Sequence, residues 1–322
     1  MGLPNPGFVK WRSLIMKDQR PKLIIIAGPT ASGKTTLAVE MALKFNGEII
    51  NADSMQVYRY MDIGTAKPSI SERKGIIHHL IDVADPDYEF NASKYRELTI
   101  PVIREIIGRM KRCFIVGGTG LYIKTLLGGL MECPPSDPVL RGELINECKE
   151  KGSPFLHERL KMLDHESAHR IHPNDKTRII RSLEIITLTG RPCSSIKMGH
   201  SFSEKSFRTL KICINMDREC LYDRINNRSD QMIDAGLIDE TETLLERGYS
   251  PELRSMKSLG YRHVISYLKK EWKLENMISN LKQDTRRYAK RQLTWFRADP
   301  EMVWVEPDDM GFIKSKILEF ID

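Results

Sequence analysis

Short apolar runs and segments of helical periodicity alternate along the N-terminal part of the chain. Four apolar runs predict buried strands, at residues 23–27, 47–52, 79–83 and 113–116. Between them, residues 36–42 have helical spacing, and a helix capped by Asn91 or Ser93 is predicted to extend to residue 107. Strands that alternate with helices are typical of an α/β fold with a parallel sheet and right-handed crossovers.

The pattern changes after a proline-rich segment at residues 134–138. Three helices are predicted beyond it, at residues 141–150, 155–163 and 176–189. An apolar run at residues 209–216 then predicts a strand that returns to the sheet. We therefore expect a helical insertion within the α/β core, with the chain divided into a poorly ordered lead-in (1–20), the first part of the core (21–135), the insertion (136–206) and the second part of the core (207–322).

The C-terminal part is predicted to be mostly helical. Asp217 is expected to cap a long helix that extends towards Gly248, with a break near Gly236. A final long helix is predicted at residues 274–297, and a short strand and helix follow from Trp304.

A glycine-rich segment follows the first predicted strand and precedes the first predicted helix. It fits the P-loop pattern G-x-x-x-x-G-K-[ST] at every fixed position and consists of Gly28, Pro29, Thr30, Ala31, Ser32, Gly33, Lys34 and Thr35. Such a loop directs backbone N–H groups at phosphate oxygens, and the helix N-terminus adds partial positive charge. Lys34 supplies a full charge, and the Thr35 hydroxyl is placed to ligate Mg²⁺. The segment predicts a phosphate site but does not identify the phosphorylated ligand.

Three polar residues follow predicted strands and can join the P-loop at one edge of the sheet: Asp53, Asp82 and Thr119. In parallel sheets, ligands bind outside the carboxyl ends of the strands. Asp53 can be a Mg²⁺ ligand, a general base or a turn-forming residue. Asp82 can be a magnesium residue of the Walker B type, and the glycines around Thr119 can equally serve tight packing.

Basic residues recur at helical spacing, and the net charge of +7 permits a polyanionic partner. Arg224 and Arg228 are four residues apart, a spacing at which like charges repel by roughly 0.2–0.5 kcal/mol unless they are solvated or an anion lies between them. A second basic group, on the last long helix, comprises Arg287, Lys290 and Arg291. Aromatic residues interleave with this group, as in nucleic-acid interfaces, although a solvated surface remains the alternative.

The chain lacks signals for disulfides, zinc or membranes. Its six cysteines form no C-x-x-C pair and no His/Cys cluster. No apolar run approaches membrane-span length, and the first twenty residues lack the apolar region of a secretory signal. We therefore expect a cytoplasmic protein with no membrane partner, and we expect a monomer.

Seven motifs, taken in order, resemble the tRNA dimethylallyltransferase family in its bacterial form. Besides the P-loop they are D-S-M-Q-V-Y at 53–58, M-D-I-G-T-A-K-P at 61–68, V-G-G-T-G-L-Y at 116–122, R-I-H-P-N-D at 170–175, G-Y-R at 260–262 and A-K-R-Q-L-T-W-F-R at 289–297. The resemblance covers roughly residues 21–297. It implies a P-loop NTPase-like core and transfer of a dimethylallyl group from dimethylallyl diphosphate to N6 of the adenosine 3′ of the anticodon, in tRNAs that read codons beginning with U.

The resemblance also implies roles for individual residues. The P-loop would hold the diphosphate rather than ATP, with Mg²⁺ on Thr35 and with positive charge from Lys34 and Arg224. Asp53 would accept a proton or hydrogen bond from the adenine amine, and Thr119 would lie near the same adenine.

Contacts with the tRNA anticodon stem-loop are implied as well, because the target base must leave its stack to be modified. The implied contact residues are Asp53, Ser54, Met55, Gln56, Thr119, Arg141, Thr177, Arg178, Ile179, Ile180, Arg181, Lys257, Ser258, Leu259, Gly260, Tyr261 and Arg262. The basic group on the last helix is a further candidate. Three rival functions stay open: a small-molecule kinase that binds ATP, an adenylate dimethylallyltransferase and a non-catalytic RNA-binding NTPase switch.

Overall fold

The computed structural model describes residues 18, 20–130, 133–198 and 205–322 of the chain. Within these residues, six strands form one parallel sheet. They are β1 (Lys22–Ala27), β2 (Gly47–Asn51), β3 (His78–His79), β4 (Arg112–Gly117), β5 (Arg208–Ile214) and β6 (Met302–Val305). The predicted α/β class is confirmed.

The helices of the described residues flank this sheet or follow β4 as an insertion. They are α1 (Lys34–Lys44), α2 (Ile70–Arg73), α3 (Ala92–Gly108), α4 (Gly120–Gly128), α5 (Pro138–Lys151), α6 (Ser153–Leu163), α7 (His165–Arg170), α8 (Lys176–Thr189), α9 (Cys193–Met198), α10 (Arg218–Asp234), α11 (Leu237–Glu246), α12 (Tyr261–Leu268), α13 (Leu274–Arg297) and α14 (Met310–Ile321).

The strand order β3-β2-β4-β1-β5-β6 places β1 between β4 and β5. Ala27 at the end of β1 pairs with Gly117 at the end of β4, and Asn51 at the end of β2 pairs with Val116. The carboxyl ends of β1, β2 and β4 therefore meet at one edge of the sheet, as the sequence predicts.

Both faces of the sheet are covered by hydrophobic clusters. Along β1, Leu23 and Ile25 pack towards α3, α4, α12 and α13, whereas Ile24 and Ile26 pack towards α1 and α14. Successive side chains of a strand point to opposite faces, so a continuous apolar run suits a strand that is covered on both sides.

Helices α5–α9 lie between α4 and β5 in the chain and form the helical insertion. Leu144, Leu156 and Leu183 belong to a hydrophobic cluster that is separate from those of the sheet. Asp175 accepts a hydrogen bond from the backbone N–H of Arg178 at 3.1 Å and thereby caps α8. The insertion thus has its own small core.

The structure differs from the prediction at several elements. The strand predicted at residues 79–83 is wrong, because β3 ends at His79 and the chain turns through left-handed backbone at Leu80 and Asp82. Helices α4 and α12 have no counterpart among the predicted elements. The long helix after Asp217 is confirmed, with its break at Gly236, whose φ is 98°. Of the predicted lead-in, residues 1–17 and 19 lie outside the described part of the chain.

Candidate active site

The P-loop connects β1 to α1 at the central strand of the sheet. Gly33 caps α1 with a φ of 88°, a left-handed backbone that favours glycine, and Ser32 is fully buried. The Lys34 ammonium donates a hydrogen bond to the backbone carbonyl of Pro29 at 2.6 Å, so the lysine folds back over its own loop. Strand, loop and helix N-terminus are therefore arranged as an anion site requires.

Lys34 lies in an environment that weakens its hold on a proton. Burial lowers the pKa of Lys34 from an ordinary value of 10.5 to about 8. The carboxylate of Asp53 opposes this shift, and the positive charge of Arg228 adds to it. Lys34 is therefore mostly charged at neutral pH and loses its charge above about pH 8 in the ligand-free protein.

Asp53 and Thr119 are brought together by the ends of β2 and β4. The backbone N–H of Ser54 donates to Thr119 Oγ1 at 2.9 Å, and the backbone N–H of Thr119 donates to the carbonyl of Ala52 at 3.1 Å. Asp53 Oδ1 accepts a hydrogen bond from the backbone N–H of Met55 at 2.8 Å, which fixes one carboxylate oxygen. The predicted meeting of P-loop, Asp53 and Thr119 at one edge of the sheet is confirmed as geometry.

A cavity of about 60 Å³ lies against the P-loop. This volume is several times the ~10–15 Å³ that one water molecule needs. Its polar lining includes Lys34, Thr35, Asp53 and Arg228. Its apolar lining comprises Ala38, Ile49, Ala66, Pro68, Ile81 and Val116. The cavity therefore combines a phosphate end with a small hydrocarbon wall.

A second cavity, of about 280 Å³, continues from the first. The residues that line both are Thr30, Asp53, Thr65, Ala66 and Arg228. Tyr288 and Arg291 of α13 line the second cavity. Burial raises the pKa of the Tyr288 phenol, and the negative charge of nearby Asp53 adds to the rise, which places this ring beside the carboxylate.

Arg224 and Arg228 approach the P-loop from α10. A Cβ built on Gly33 would lie 3.7 Å from Nη1 of Arg224, so this guanidinium is close to the start of α1. Arg228 lines both cavities, and burial lowers its pKa from the ordinary value while Asp53 opposes the shift. Arg228 is thus turned into the site, whereas Arg224 is exposed, and an anion between the two stays a prediction.

Gln292 is a site residue that the sequence analysis does not single out. Its side-chain carbonyl accepts a hydrogen bond from the backbone N–H of Thr30 at 2.8 Å, and its Nε2 donates to the carbonyl of Gly118 at 3.0 Å. The residue is buried and lines the first cavity. The signal that could have identified Gln292 is its place on the helix. It lies one turn from Phe296 and three residues from Ala289, both of which are buried, so a polar residue stands on the buried face.

The loop at residues 62–67 forms a wall of both cavities and is held by three side chains. Glu240 accepts hydrogen bonds from the backbone N–H groups of Asp62, Ile63 and Gly64 at 2.9, 2.8 and 3.1 Å. Gln56 donates its amide hydrogens to the carbonyls of residues 65 and 66, at 3.2 and 3.1 Å.

Lys67 is the third side chain that holds this loop. Its ammonium donates to the carbonyl of Tyr58 at 2.8 Å and pairs with Asp82 at 2.6 Å and with Asp62. Asp82 is not among the residues that line the first cavity. The possible magnesium role of Asp82 is therefore not supported, because its carboxylate is held by a lysine away from the phosphate end.

Part of the implied tRNA-contact set lines the second cavity: Ser54, Met55, Lys257, Ser258, Leu259, Gly260 and Arg262. Tyr261 is an exception, because its side chain is fully buried and its hydroxyl donates to Glu240 at 2.6 Å. Ile179 and Ile180 are also buried, within the insertion cluster. For these three side chains the implied contact with RNA is corrected to a structural role, while Thr177 and Arg178 are exposed at the start of α8.

Two implied RNA-contacting arginines are held by a buried carboxylate at the base of the insertion. Glu184 is fully buried and accepts hydrogen bonds from the guanidinium of Arg181 at 2.7 Å and from the hydroxyl of Ser136 at 2.6 Å. Arg141 donates to the same Ser136 hydroxyl at 3.0 Å and lies 3.8 Å from Glu184. Both arginines thus have fixed positions and partly compensated charges.

The basic group on α13 is exposed, as a nucleic-acid contact requires. Arg287 pairs with Asp284 at 3.1 Å, and Arg262 also contacts Asp284. Lys290 and Arg291 lie further along the helix on exposed positions. The contact of these residues with RNA stays a prediction.

The donor set at the P-loop suits Mg²⁺ as a partner of a bound phosphate. Among the described residues, no group of three or more His, Cys, Asp or Glu side chains could hold a metal ion alone. The Thr35 hydroxyl lines the cavity beside Lys34, and the buried Ser32 hydroxyl has no hydrogen-bond partner. Mg²⁺ commonly binds through one or two protein oxygens together with substrate phosphates and water, so these residues fit the ion.

Comparison with known proteins decides the family. The family model described as IPP transferase matches residues 56–299 of the chain. A tRNA dimethylallyltransferase of Desulfosudis oleivorans is 49% identical over 305 residues, which is 94% of this chain and 97% of that protein. The chain belongs to the IPP transferase family. Members of this family modify tRNA by prenyl transfer, so the protein is a transferase with an RNA substrate.

Solved structures of family members share the fold. The full-length tRNA isopentenylpyrophosphate transferase of Bacillus halodurans is 41% identical, with a TM-score of 0.68, and the match covers 94% of this chain and 98% of that one. A eukaryotic dimethylallyltransferase acting on tRNA is 30% identical, with a TM-score of 0.75 over 89% of this chain and 74% of that one. These matches show that this protein has the P-loop NTPase-like core of its family. Within the described residues, no helix is long and apolar enough to span a membrane.

Proposed function

We propose that this protein transfers a dimethylallyl group from dimethylallyl diphosphate to N6 of the adenosine 3′ of the anticodon, in tRNAs that read codons beginning with U. The observation that carries the proposal is the pair of connected cavities with Asp53 between them. The first has a phosphate end, and the second is lined by residues of the implied RNA-contact set. Two substrates can therefore approach one carboxylate from opposite sides.

The first cavity has the chemistry of a prenyl diphosphate. Lys34, Arg228 and the P-loop N–H groups suit the diphosphate, and the wall that includes Ile49, Ile81 and Val116 suits a branched five-carbon chain. The apolar side chains beside the phosphate end thus favour a ligand that joins a short hydrocarbon chain to its phosphates.

The reaction breaks an allylic C–O bond while the adenine amine attacks carbon. Negative charge builds on the departing diphosphate, where Lys34, Arg224 and Arg228 stabilise it more strongly than in the ground state. Asp53 takes the proton of the attacking amine, a role that typically contributes about 10²–10⁴-fold. Thr35 would hold Mg²⁺ beside the diphosphate, where the ion would supply further positive charge to the leaving group.

The RNA side must hold a base that has left its stack. Unstacking costs a few kcal/mol, which contacts elsewhere on the RNA must offset. We assign these contacts to residues 257–260 with Arg262, to the exposed start of α8 and to the basic group on α13. We also propose that the protein works as a monomer, and that it works in the cytoplasm, where its six free cysteines would stay reduced.

Mass spectrometry of modified nucleosides tests the proposal. An unmodified tRNA that reads codons beginning with U is incubated with the protein, Mg²⁺ and dimethylallyl diphosphate, and its nucleosides are analysed. We expect an adenosine that carries one five-carbon prenyl unit, and no product when AMP replaces tRNA. Product on AMP alone, or phosphate transfer from ATP without tRNA, would instead support the adenylate or kinase alternative.

A further inference from the structure

A single buried amide joins three elements of the site. Gln292 of α13 binds the P-loop at Thr30 and the turn after β4 at Gly118, with distances of 2.8 and 3.0 Å. Both ends of the amide are thus used, with the oxygen as acceptor and the nitrogen as donor. The residue is buried apart from the side that lines the first cavity, so both bonds are largely shielded from bulk solvent.

The two backbone segments that Gln292 joins serve different substrates. Thr30 is part of the loop that cradles the diphosphate, and Gly118 precedes Thr119, which lies beside Asp53 at the acceptor side. Prenyl transfer requires the donor carbon and the acceptor nitrogen to meet at about 3–3.5 Å, and a displacement of about 1 Å can cost about 100-fold in rate. The distance between these two backbone segments therefore affects the rate directly.

Close packing shows that the amide position is tightly determined. A Cβ on Gly118 would lie 2.0 Å from Nε2 of Gln292, so only glycine leaves room for this contact. One turn earlier on the same helix, Tyr288 lines the second cavity. A rigid helix thus carries both the amide that holds the P-loop and a ring beside the acceptor carboxylate.

We propose that Gln292 is a positioning residue that sets the P-loop against the Gly118–Thr119 turn and thereby aligns the two substrates. The kinetic part of this inference rests on the proposed function. The binding part does not, because it requires only that the P-loop binds inorganic diphosphate. Loss of the amide should leave Thr30 and Gly118 without partners and let the loop shift.

The test compares Gln292→Met with Gln283→Met, an exposed glutamine on the same helix. Calorimetry with inorganic diphosphate and Mg²⁺ measures the P-loop, and steady-state prenylation measures alignment. We expect Gln292→Met to weaken diphosphate binding by about 10- to 100-fold, as for a buried polar group left unpaired. We expect kcat to fall as well, while the Kd for tRNA stays within twofold. Gln283→Met should match the wild type.

A second variant decides the question if Gln292→Met does not fold. Gly118→Ala leaves Gln292 in the sequence but displaces its amide, and Gly142→Ala, where a Cβ meets nothing within 4 Å, is its control. The inference is overturned if folded Gln292→Met or Gly118→Ala binds diphosphate within twofold of the wild type. If the wild type binds diphosphate but does not modify tRNA, the proposed function fails while the binding comparison still decides the role of Gln292.

Discussion

Glu240 offers a sharp test of what holds the wall of the active-site cavities. Its carboxylate accepts three backbone N–H bonds from residues 62–64 and one bond from the Tyr261 hydroxyl. Oε2 accepts from Asp62 and Ile63, and Oε1 accepts from Gly64 and Tyr261. Each carboxylate oxygen therefore faces two donors, an arrangement that an amide cannot reproduce.

The substitution Glu240→Gln turns one acceptor oxygen into an NH₂ group that faces two donors. The NH₂ group takes the Oε1 position at the smaller cost, because the Tyr261 hydroxyl can turn and accept from it, whereas the Gly64 N–H loses its acceptor. One hydrogen bond to a charged acceptor is then lost, worth roughly 1.5–3 kcal/mol. We expect the free energy of unfolding to fall by about 1–3 kcal/mol. Tyr261→Phe also removes one bond and should cost about as much.

Urea denaturation at pH 7 measures the effect, with Glu242→Gln as the control. Glu242 lies on the same helix but is exposed, so its substitution should change stability by less than about 0.5 kcal/mol. The reasoning is refuted if Glu240→Gln and Glu242→Gln have the same midpoint. A selective rise in the KM for dimethylallyl diphosphate should accompany the loss, since Thr65 and Ala66 of the same loop line the first cavity.

Four further outcomes are expected. The kcat/KM for dimethylallyl diphosphate should fall as pH rises through about 8, because ligand-free Lys34 then loses its charge; Lys34→Arg, which stays charged, should remove that fall. The same lowered pKa makes the stability contribution of Lys34 rise, not fall, between pH 8 and 10.5, since the unfolded chain binds the proton more tightly there. Asp53→Asn should lower kcat by about 10²–10⁴-fold with little change in tRNA affinity, and near-normal turnover would rule out a general base at this position. Replacing Arg287, Lys290 and Arg291 with Ala should weaken the salt dependence of tRNA binding. The slope of log K against log salt concentration should become shallower by about 0.7–0.9 for each phosphate that the variant no longer neutralises. An unchanged slope would mean that these residues form a solvated face.

Much of the fold follows from the sequence because its elements have strong periodic signals. Helix α13 is long and amphipathic, and its predicted bounds match the structure. The meeting of Asp53 with Thr119 follows from topology alone, because parallel strands end at a common edge. By contrast, β3 is cut short by left-handed backbone at Leu80 and Asp82, a tertiary effect that an apolar run cannot reveal.

The errors in the site have a common physical cause. Resemblance assigns RNA contact to contiguous ranges, whereas helical geometry turns successive side chains to different faces. On α8, Ile179 and Ile180 point into the insertion core while Thr177 and Arg178 are exposed, and the 3.6-residue period alone could have separated them. Gln292 escapes prediction for the opposite reason, since an amide carries no charge that suggests chemistry.

The position of the insertion also has a consequence for synthesis on the ribosome. The central strand β1 pairs with β4 through Leu23 and Cys113, and with β5 through Leu23 and Thr209. Between those two events the ribosome adds roughly 100 residues, which at ~5–20 residues per second takes roughly 5–20 s. During that interval the edge of the isoleucine-rich strand β1 that faces β5 has no partner, and an unpaired edge can pair with another chain and start aggregation. The nascent chain therefore depends on its helical insertion to emerge and fold promptly, so that β5 can cover the edge.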